Sequence, residues 1–276
     1  MNRALWSQAF ADARAMLAWT CALLFCFHWL FVWLSSKIDL GAMSMFLVAL
    51  PQELQRVSPI PMSDIATPAG RVGLAYVDPV AIIAATAWGI ARGSDAVSGQ
   101  VGRGTMEMLL AQPLRRTSVL AVQAIVTSFG AVLLGFHSWL GTCVGLRTVA
   151  LPGDVAISPS LYVPAAANLA GLAFFMAGFT TLLSAFDRYR WRTIGLASGF
   201  YVVSLILKLI ARMAPGWERL IYASFLGAFE PLLFVNHPHD GWRLAAEYIG
   251  LQVGLGLAAY LVAAIVFCRR DLPAPL

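Results

Sequence analysis

The chain has 276 residues, of which 59% are hydrophobic and only 12% are charged, and its formal net charge is +5. Soluble domains carry roughly 25% charged residues, so the composition excludes an ordinary soluble protein and is typical of a polytopic membrane protein. The positive charge does not indicate a nucleic-acid partner, because most arginines stand beside apolar spans, where the positive-inside rule accounts for them.

Apolar stretches long enough to cross a bilayer recur along the whole chain. Before the first of them, apolar residues at helical spacing are interspersed with Arg3, Asp12 and Arg14, which predicts an amphipathic surface helix over residues 1–14. The alternative is that this stretch is the start of the first span. Six spans are predicted, over residues 15–34, 74–92, 118–146, 161–186, 193–213 and 244–268. The expected fold class is an all-α polytopic membrane protein, with residues 1–276 forming one transmembrane domain.

The connection between the fifth and sixth spans has an unusual composition. It contains an apolar stretch from Ile221 to Phe234, which Glu230 and Pro231 interrupt. This stretch is too short to cross a bilayer easily, and it predicts a re-entrant or interfacial segment.

The distribution of basic residues predicts the orientation. Six spans place both termini on one side of the membrane, and the short loops on that side are dense in arginine. The positive-inside rule therefore predicts a multi-pass protein of the cell (inner) membrane with both termini in the cytoplasm. The basic residues of this side are Arg3, Arg14, Arg92, Arg103, Arg115, Arg116, Arg188, Arg190, Arg192, Arg269 and Arg270.

Residues 98–116, SGQVGRGTMEMLLAQPLRR, are a mixed-charge, glycine-rich segment between the second and third spans. Apolar residues at helical spacing predict a short amphipathic helix after Gly104, which Pro113 ends because it lacks an amide proton. Arg115 and Arg116 then anchor the third span at the cytoplasmic face. The residues of that helix's apolar face are Met106, Leu109 and Leu110. Residues 93–117 are thus predicted to be a cytoplasmic segment on which a cytosolic partner can act.

Three ionisable residues form a candidate intramembrane polar site. Asp78 lies near the outer end of the second span, where a carboxylate serves either a substrate or gating role or caps a helix start. Lys208 and Arg212 lie one turn apart in the fifth span, where they either extend toward the membrane surface or pair with Asp78.

Small residues at helical spacing occur in three spans and favour close helix crossings. Such pairs serve packing within one subunit or dimerisation, and the sequence does not decide between them. They are Gly141 with Gly145, Gly195 with Gly199, and Gly250 with Gly254.

The sequence lacks the motifs of common catalytic sites. It has no G-x-x-x-x-G-K-[ST] phosphate-binding loop, no H-E-x-x-H and no G-x-S-x-G. His237 and His239 in a predicted outer loop are weak grounds for a metal, so no metal site, catalytic residue or resident cofactor is predicted. This pattern favours a conduit or a scaffold over an intramembrane enzyme.

The segment from Arg103 to Arg116 closely resembles the signature of ABC-2 type transporter permeases, G-T-x-E-x-L-L-x-x-P-[hydrophobic]-x-R. The predicted layout of six spans is also similar to that of the family. Asp95 and Gln100 stand where acidic residues are common in the family. The residues that fill the signature are Gly104, Thr105, Glu107, Leu109, Leu110, Pro113, Leu114 and Arg116.

This resemblance implies that the chain is the permease of an ATP-binding-cassette exporter. A separate ATPase subunit would bind ATP and Mg²⁺, and two permeases, identical or different, would pair in the bilayer. The N-terminal surface helix and the 93–117 segment would contact the ATPase, with Arg103 and Glu107 as contact or hinge residues and Met106, Leu109 and Leu110 seating the coupling helix. The alternative is a membrane scaffold or assembly factor that recruits a cytosolic partner without transport.

Overall fold

The computed structural model describes residues 3–37, 45, 49, 51, 55–110, 115–152, 157–237 and 240–270. Within these ranges the secondary structure is helical and contains no β-strand. Six helical stretches are long and apolar enough to cross a membrane, which confirms the predicted number of spans. The α-helices are α1 (Arg3–Lys37), α2 (Met62–Ala66), α3 (Pro68–Gly73), α4 (Pro79–Ser94), α5 (Gln100–Gly102), α6 (Thr105–Leu110), α7 (Arg116–Thr148), α8 (Val163–Phe186), α9 (Arg190–Met213), α10 (Pro231–Asn236) and α11 (Gly241–Arg269).

The first helix differs from the prediction. Instead of a separate surface helix over residues 1–14 followed by a span, α1 is one unbroken helix of 35 residues. Its sequence contains neither proline nor glycine, so nothing interrupts the backbone hydrogen bonds. At 1.5 Å per residue α1 is roughly 50 Å long, whereas the hydrocarbon core is about 30 Å thick. The helix therefore extends beyond the bilayer.

The second span is longer than predicted. After α4, the chain continues through a π-helical turn, Asp95–Gly99, and through α5 instead of leaving the bundle at residue 92. The Ser98 amide donates a hydrogen bond to Ser184 Oγ at 2.8 Å, and the Ser98 hydroxyl lies 3.1 Å from Thr193 Oγ1. Because these partners satisfy its polar groups, the turn is buried against α8 and α9.

Helix α8 lies at the centre of the bundle, where it packs against α4, α7 and α11. Gly89 allows α4 to approach α8 closely, since a Cβ atom there would lie 2.8 Å from the Ala173 carbonyl oxygen. Gly141 likewise allows α7 to approach α1 closely, because a Cβ atom there would meet the backbone of Phe25. The core of the bundle thus depends on small residues at helix crossings.

The connection between α9 and α11 consists of short helical pieces instead of one helix. Two 3-10 helices, Glu218–Ala223 and Phe225–Ala228, precede α10, and Glu230 stands immediately before Pro231 at its start. Proline at the first position of a helix has no amide proton to leave unsatisfied, which accounts for the new start at this residue.

Candidate functional site

A glycine in the left-handed region creates the turn that begins the signature segment. Gly104 has φ of 70° and lies between α5 and α6. Side chains other than glycine rarely adopt this conformation, so the turn depends on this residue. The Thr105 hydroxyl donates to the carbonyl oxygen of Gln100 at 3.2 Å and also contacts Gln100 Oε1. These contacts tether the start of α6 to the end of the second span.

The base of α6 is joined to two spans through Asp95. Arg103 Nη1 lies 2.6 Å from Asp95 Oδ1, and Arg190 Nη1 lies 3.5 Å from the same oxygen. The hydrogen bond to Asp95 raises the pKa of the Arg103 guanidinium above its ordinary value. Arg190 begins α9 and also donates to the Ala91 carbonyl oxygen at 3.3 Å. One carboxylate therefore connects the signature segment, the second span and the fifth span.

The same residues surround a polar cavity of about 400 Å³. Helix α1 contributes Gln8 and Asp12, and α4 contributes the buried Arg92, which donates to Gln123 Oε1 on α7 at 2.9 Å. The part of α1 predicted to lie on the membrane surface thus lies beside the signature segment.

The two methionines of α6 lie in opposite environments. Met106 is only 1% exposed and belongs to a buried cluster with Leu120, Ala263 and Phe267, whereas Met108 is 73% exposed. Met106 therefore contacts the protein's own spans. Met108 was not among the residues predicted from the sequence to matter. Helical geometry does indicate its position, because two residues along a helix rotate by about 200° and place Met108 on the face opposite Met106.

Five residues of the signature are described only in part or lie outside the described residues. The backbone of Glu107, Leu109 and Leu110 lies in α6, but their side chains are outside what the structure describes. Pro113 and Leu114 lie outside the described residues altogether.

The arginines after the segment have different partners. Arg115 is exposed at the position preceding α7. Arg116 donates to the Arg270 carbonyl oxygen at 2.7 Å, and Arg270 in turn donates to the Ala185 carbonyl oxygen at 2.9 Å. Cations at helix C-termini stabilise their unpaired carbonyl groups, so these two arginines fasten the ends of α11 and α8.

At the opposite end of the bundle, Lys208 and Arg212 share a buried carboxylate. Lys208 Nζ lies 3.0 Å and Arg212 Nη2 2.6 Å from Glu230 Oε1, and the Glu230 side chain is only 5% exposed. Lys208 also donates to the carbonyl oxygens of Leu226 and Phe229, at 2.9 and 2.7 Å. The partner of both cations is Glu230, so the structure does not match the alternative in which they pair with Asp78.

Asp78 has a local role in the structure. Its carboxylate accepts a hydrogen bond from the Val80 amide at 2.9 Å and caps the start of α4. This geometry matches the helix-cap alternative of the sequence analysis.

Asn168 extends the network around Glu230. It is fully buried, donates to the Ala228 carbonyl oxygen at 3.0 Å and to Gln252 Oε1 at 3.1 Å, and accepts from the Glu230 amide at 3.2 Å. Neither Glu230 nor Asn168 was predicted from the sequence as a partner. Each is a polar side chain inside an apolar stretch, which indicates a functional or structural role but not which residue it contacts.

The comparisons with known proteins agree with this architecture. Residues 40–217 match the family described as ABC-2 family transporter protein, a stretch that includes the signature segment, Lys208 and Arg212. No curated protein matches the chain. Among the described residues, which exclude His239, no three His, Cys, Asp or Glu side chains are grouped to hold a metal ion. Because the match covers more than half of a chain with six membrane-spanning helices, the protein belongs to the ABC-2 transporter family and is an integral, multi-pass membrane permease.

Proposed function

We propose that this chain is the permease subunit of an ABC exporter whose separate ATPase subunit binds ATP and Mg²⁺. Membership of the family implies an ATP-binding partner. The observation that carries the proposal is the geometry of α6, in which Met106 is buried in the permease while Met108 projects outward. A short helix that is held by one buried side chain and exposes an apolar side chain on the opposite face suits docking of a partner.

Coupling follows from the contacts at the base of α6. Movement of a docked ATPase displaces α6, and Arg103 transmits the displacement to Asp95 and from there to Arg190 at the start of α9. The spans of the permease then change from one packing arrangement to another, because the docked ATPase makes different contacts with the two arrangements. Glu107 is expected, from the family resemblance, to add a contact with the ATPase.

In the proposed orientation, the chain spans the inner membrane of the cell, and both termini and α6 lie in the cytoplasm. The arginine-rich ends of the spans support it, since Arg103, Arg116, Arg190 and Arg270 all lie at the same end of the bundle.

The surface of α9 supports a permease dimer, of either identical or different chains. Leu196, Gly199, Val203, Ile206 and Ile210 are all exposed and recur at intervals of three and four residues. This spacing forms one apolar stripe along the helix, and Gly199 leaves room for a second helix to approach. By contrast, the Gly141 and Gly145 pair is already used inside the subunit.

The test of this proposal is purification of the protein from its native membranes in mild detergent. The wild type is expected to retain an ABC ATPase, and Met108→Arg is expected to lose it, because a charge replaces the exposed apolar contact. Tyr222→Arg is the matched control: Tyr222 is 90% exposed at the other end of the bundle, so the variant should retain the ATPase.

Retention of the ATPase by all three proteins would contradict docking through α6, and absence of an ATPase from the wild type would contradict the proposed function. With the complex in hand, inverted membrane vesicles test direction, since an exporter accumulates its substrate inside them when ATP is added. ATPase binding without any ATP-dependent transport would favour the scaffold.

A further inference from the structure

Two cavities meet at the outer ion cluster of Lys208, Arg212 and Glu230. One is an outer vestibule of about 1220 Å³, bounded by the segment after α9 and by the start of α11. The other is a chamber of about 410 Å³ between α9, the second span and the Phe225–Glu230 region. Ser58 and Arg212 line both cavities, so Arg212 lies where the two adjoin.

The chamber is predominantly apolar. Its walls include Leu205 and Leu209 of α9, Val77 and Ile82 of the second span, and Phe229. Its volume falls in the 300–1,000 Å³ range of small-molecule sites, and such sites are mostly apolar with a few placed polar groups. The charged groups that line it are those of the ion cluster, Lys208, Arg212 and Glu230.

The ion cluster has more positive than negative charge. Lys208 and Arg212 contribute two positive charges and Glu230 one negative charge, which leaves a net charge of +1. The three contacts of Lys208 Nζ use its donors, whereas Arg212 Nε is buried and has no hydrogen-bond partner among the described residues. An unpaired buried donor of this kind is costly unless a ligand or water accepts its hydrogen bond.

The surroundings of the vestibule do not remove this positive charge. Arg56 and Arg219 line it together with Glu218 and Glu247. Glu218 accepts from the Gly216 amide at 2.9 Å, and Glu247 lies 4.0 Å from Arg243. Neither of these carboxylates contacts Arg212.

We propose that the chamber and Arg212 form a binding site for a single-chain anionic amphiphile. The hydrocarbon chain occupies the apolar chamber, and the carboxylate or phosphate oxygens of the head group accept hydrogen bonds from Arg212. The planar guanidinium suits such oxyanions, because it presents parallel N–H donors to two oxygens. The inference deepens the proposed function by naming a ligand class, but binding itself requires only the permease.

The binding experiment uses the purified permease alone, in nanodiscs of phosphatidylcholine, with a diazirine-bearing dodecanoate as photoreactive probe. Cross-links are expected in the chamber walls, within residues 57–82 or 201–232. Laurate and dodecyl phosphate should compete with the probe, whereas dodecanol and dodecyltrimethylammonium should compete at least about tenfold less, because neither supplies an oxyanion to Arg212. Equal competition by dodecanol, or cross-links elsewhere, would overturn the proposal.

Charge variants separate ligand binding from a purely structural role. Arg212→Gln is expected to weaken laurate competition by about tenfold, and Glu230→Gln to strengthen it, because it removes the carboxylate that competes for the two cations. If the ion cluster only stabilises the fold, both variants should lose laurate binding, and that result would overturn the proposal.

Two further variants keep the test decisive if Arg212→Gln folds poorly. Leu205→Trp fills the chamber without changing charge and should abolish the specific cross-link, whereas Arg243→Gln, an exposed change in the vestibule's surroundings, should leave it unchanged. Persistence of the cross-link in Leu205→Trp would contradict the site. Because the ATPase is absent, these outcomes do not depend on the proposed function.

Discussion

At the scale of residues, the connection between α9 and α11 depends on side chains that satisfy buried backbone groups. Non-helical backbone inside a membrane bundle is stable only where protein groups accept or donate its hydrogen bonds. Lys208 donates hydrogen bonds to two backbone carbonyl groups within residues 225–230. Asn168 donates to a third carbonyl group and accepts a hydrogen bond from the Glu230 amide. These contacts hold the segment against α8 and α9.

Removal of the Asn168 side chain should therefore destabilise the protein. Asn168→Ala leaves the Ala228 carbonyl, the Glu230 amide and Gln252 without their partner, which costs about 1–3 kcal/mol for each group left unsatisfied. We expect a clear fall in the free energy of unfolding, measured by thermal or denaturant unfolding in detergent.

Asn236→Ala is the control for that measurement. Asn236 is only partly buried, and its side chain makes one hydrogen bond within the described part of the chain, to the Leu232 carbonyl oxygen at 2.9 Å. Its loss should therefore cost less than that of Asn168. Equal destabilisation by the two variants would show that the hydrogen bonds of Asn168 contribute no more to the free energy of unfolding than the single bond of Asn236.

At the scale of elements, hydropathy predicted the spans well but not their interruptions or continuations. Each predicted span lies within a helical stretch of the structure, because about 20 apolar residues must form a helix to cross a bilayer. The continuation of the second span through Asp95–Gly99 was not predictable, since it depends on Ser184 and Thr193 of other helices. The Glu230 contacts escaped prediction for the same reason, because they join residues distant in sequence.

The glycines of α9 and α11 allow a test of the proposed dimer. Gly199 and Gly254 both face open space, since a Cβ atom added at either position would meet no other atom of the subunit within 4 Å. Only Gly199 lies on the continuous apolar stripe of α9 assigned to the partner permease. Gly199→Leu is expected to lower the fraction of cross-linked permease dimer in membranes, and Gly254→Leu to leave it unchanged. The reverse pattern would place the interface on α11.

At the scale of the whole molecule, α9 connects the two polar regions. It begins at Arg190, which contacts Asp95 at the base of the signature segment, and near its other end carries Lys208 and Arg212. Its 24 residues form one uninterrupted helix, roughly 36 Å long at 1.5 Å per residue. In the proposed mechanism, displacement of the signature segment is transmitted along this helix to the ion cluster of Lys208, Arg212 and Glu230.

Photo-crosslinking in intact membranes, with a photoreactive amino acid at position 108 or, as control, at position 222, tests whether α6 docks an ATPase. Position 108 is expected to cross-link to a protein with an ATP-binding phosphate loop, and position 222 is not. This result would place α6 in the cytoplasm and in contact with the ATPase. Cross-linking of the ATPase at position 222, or its absence at position 108, would contradict the account.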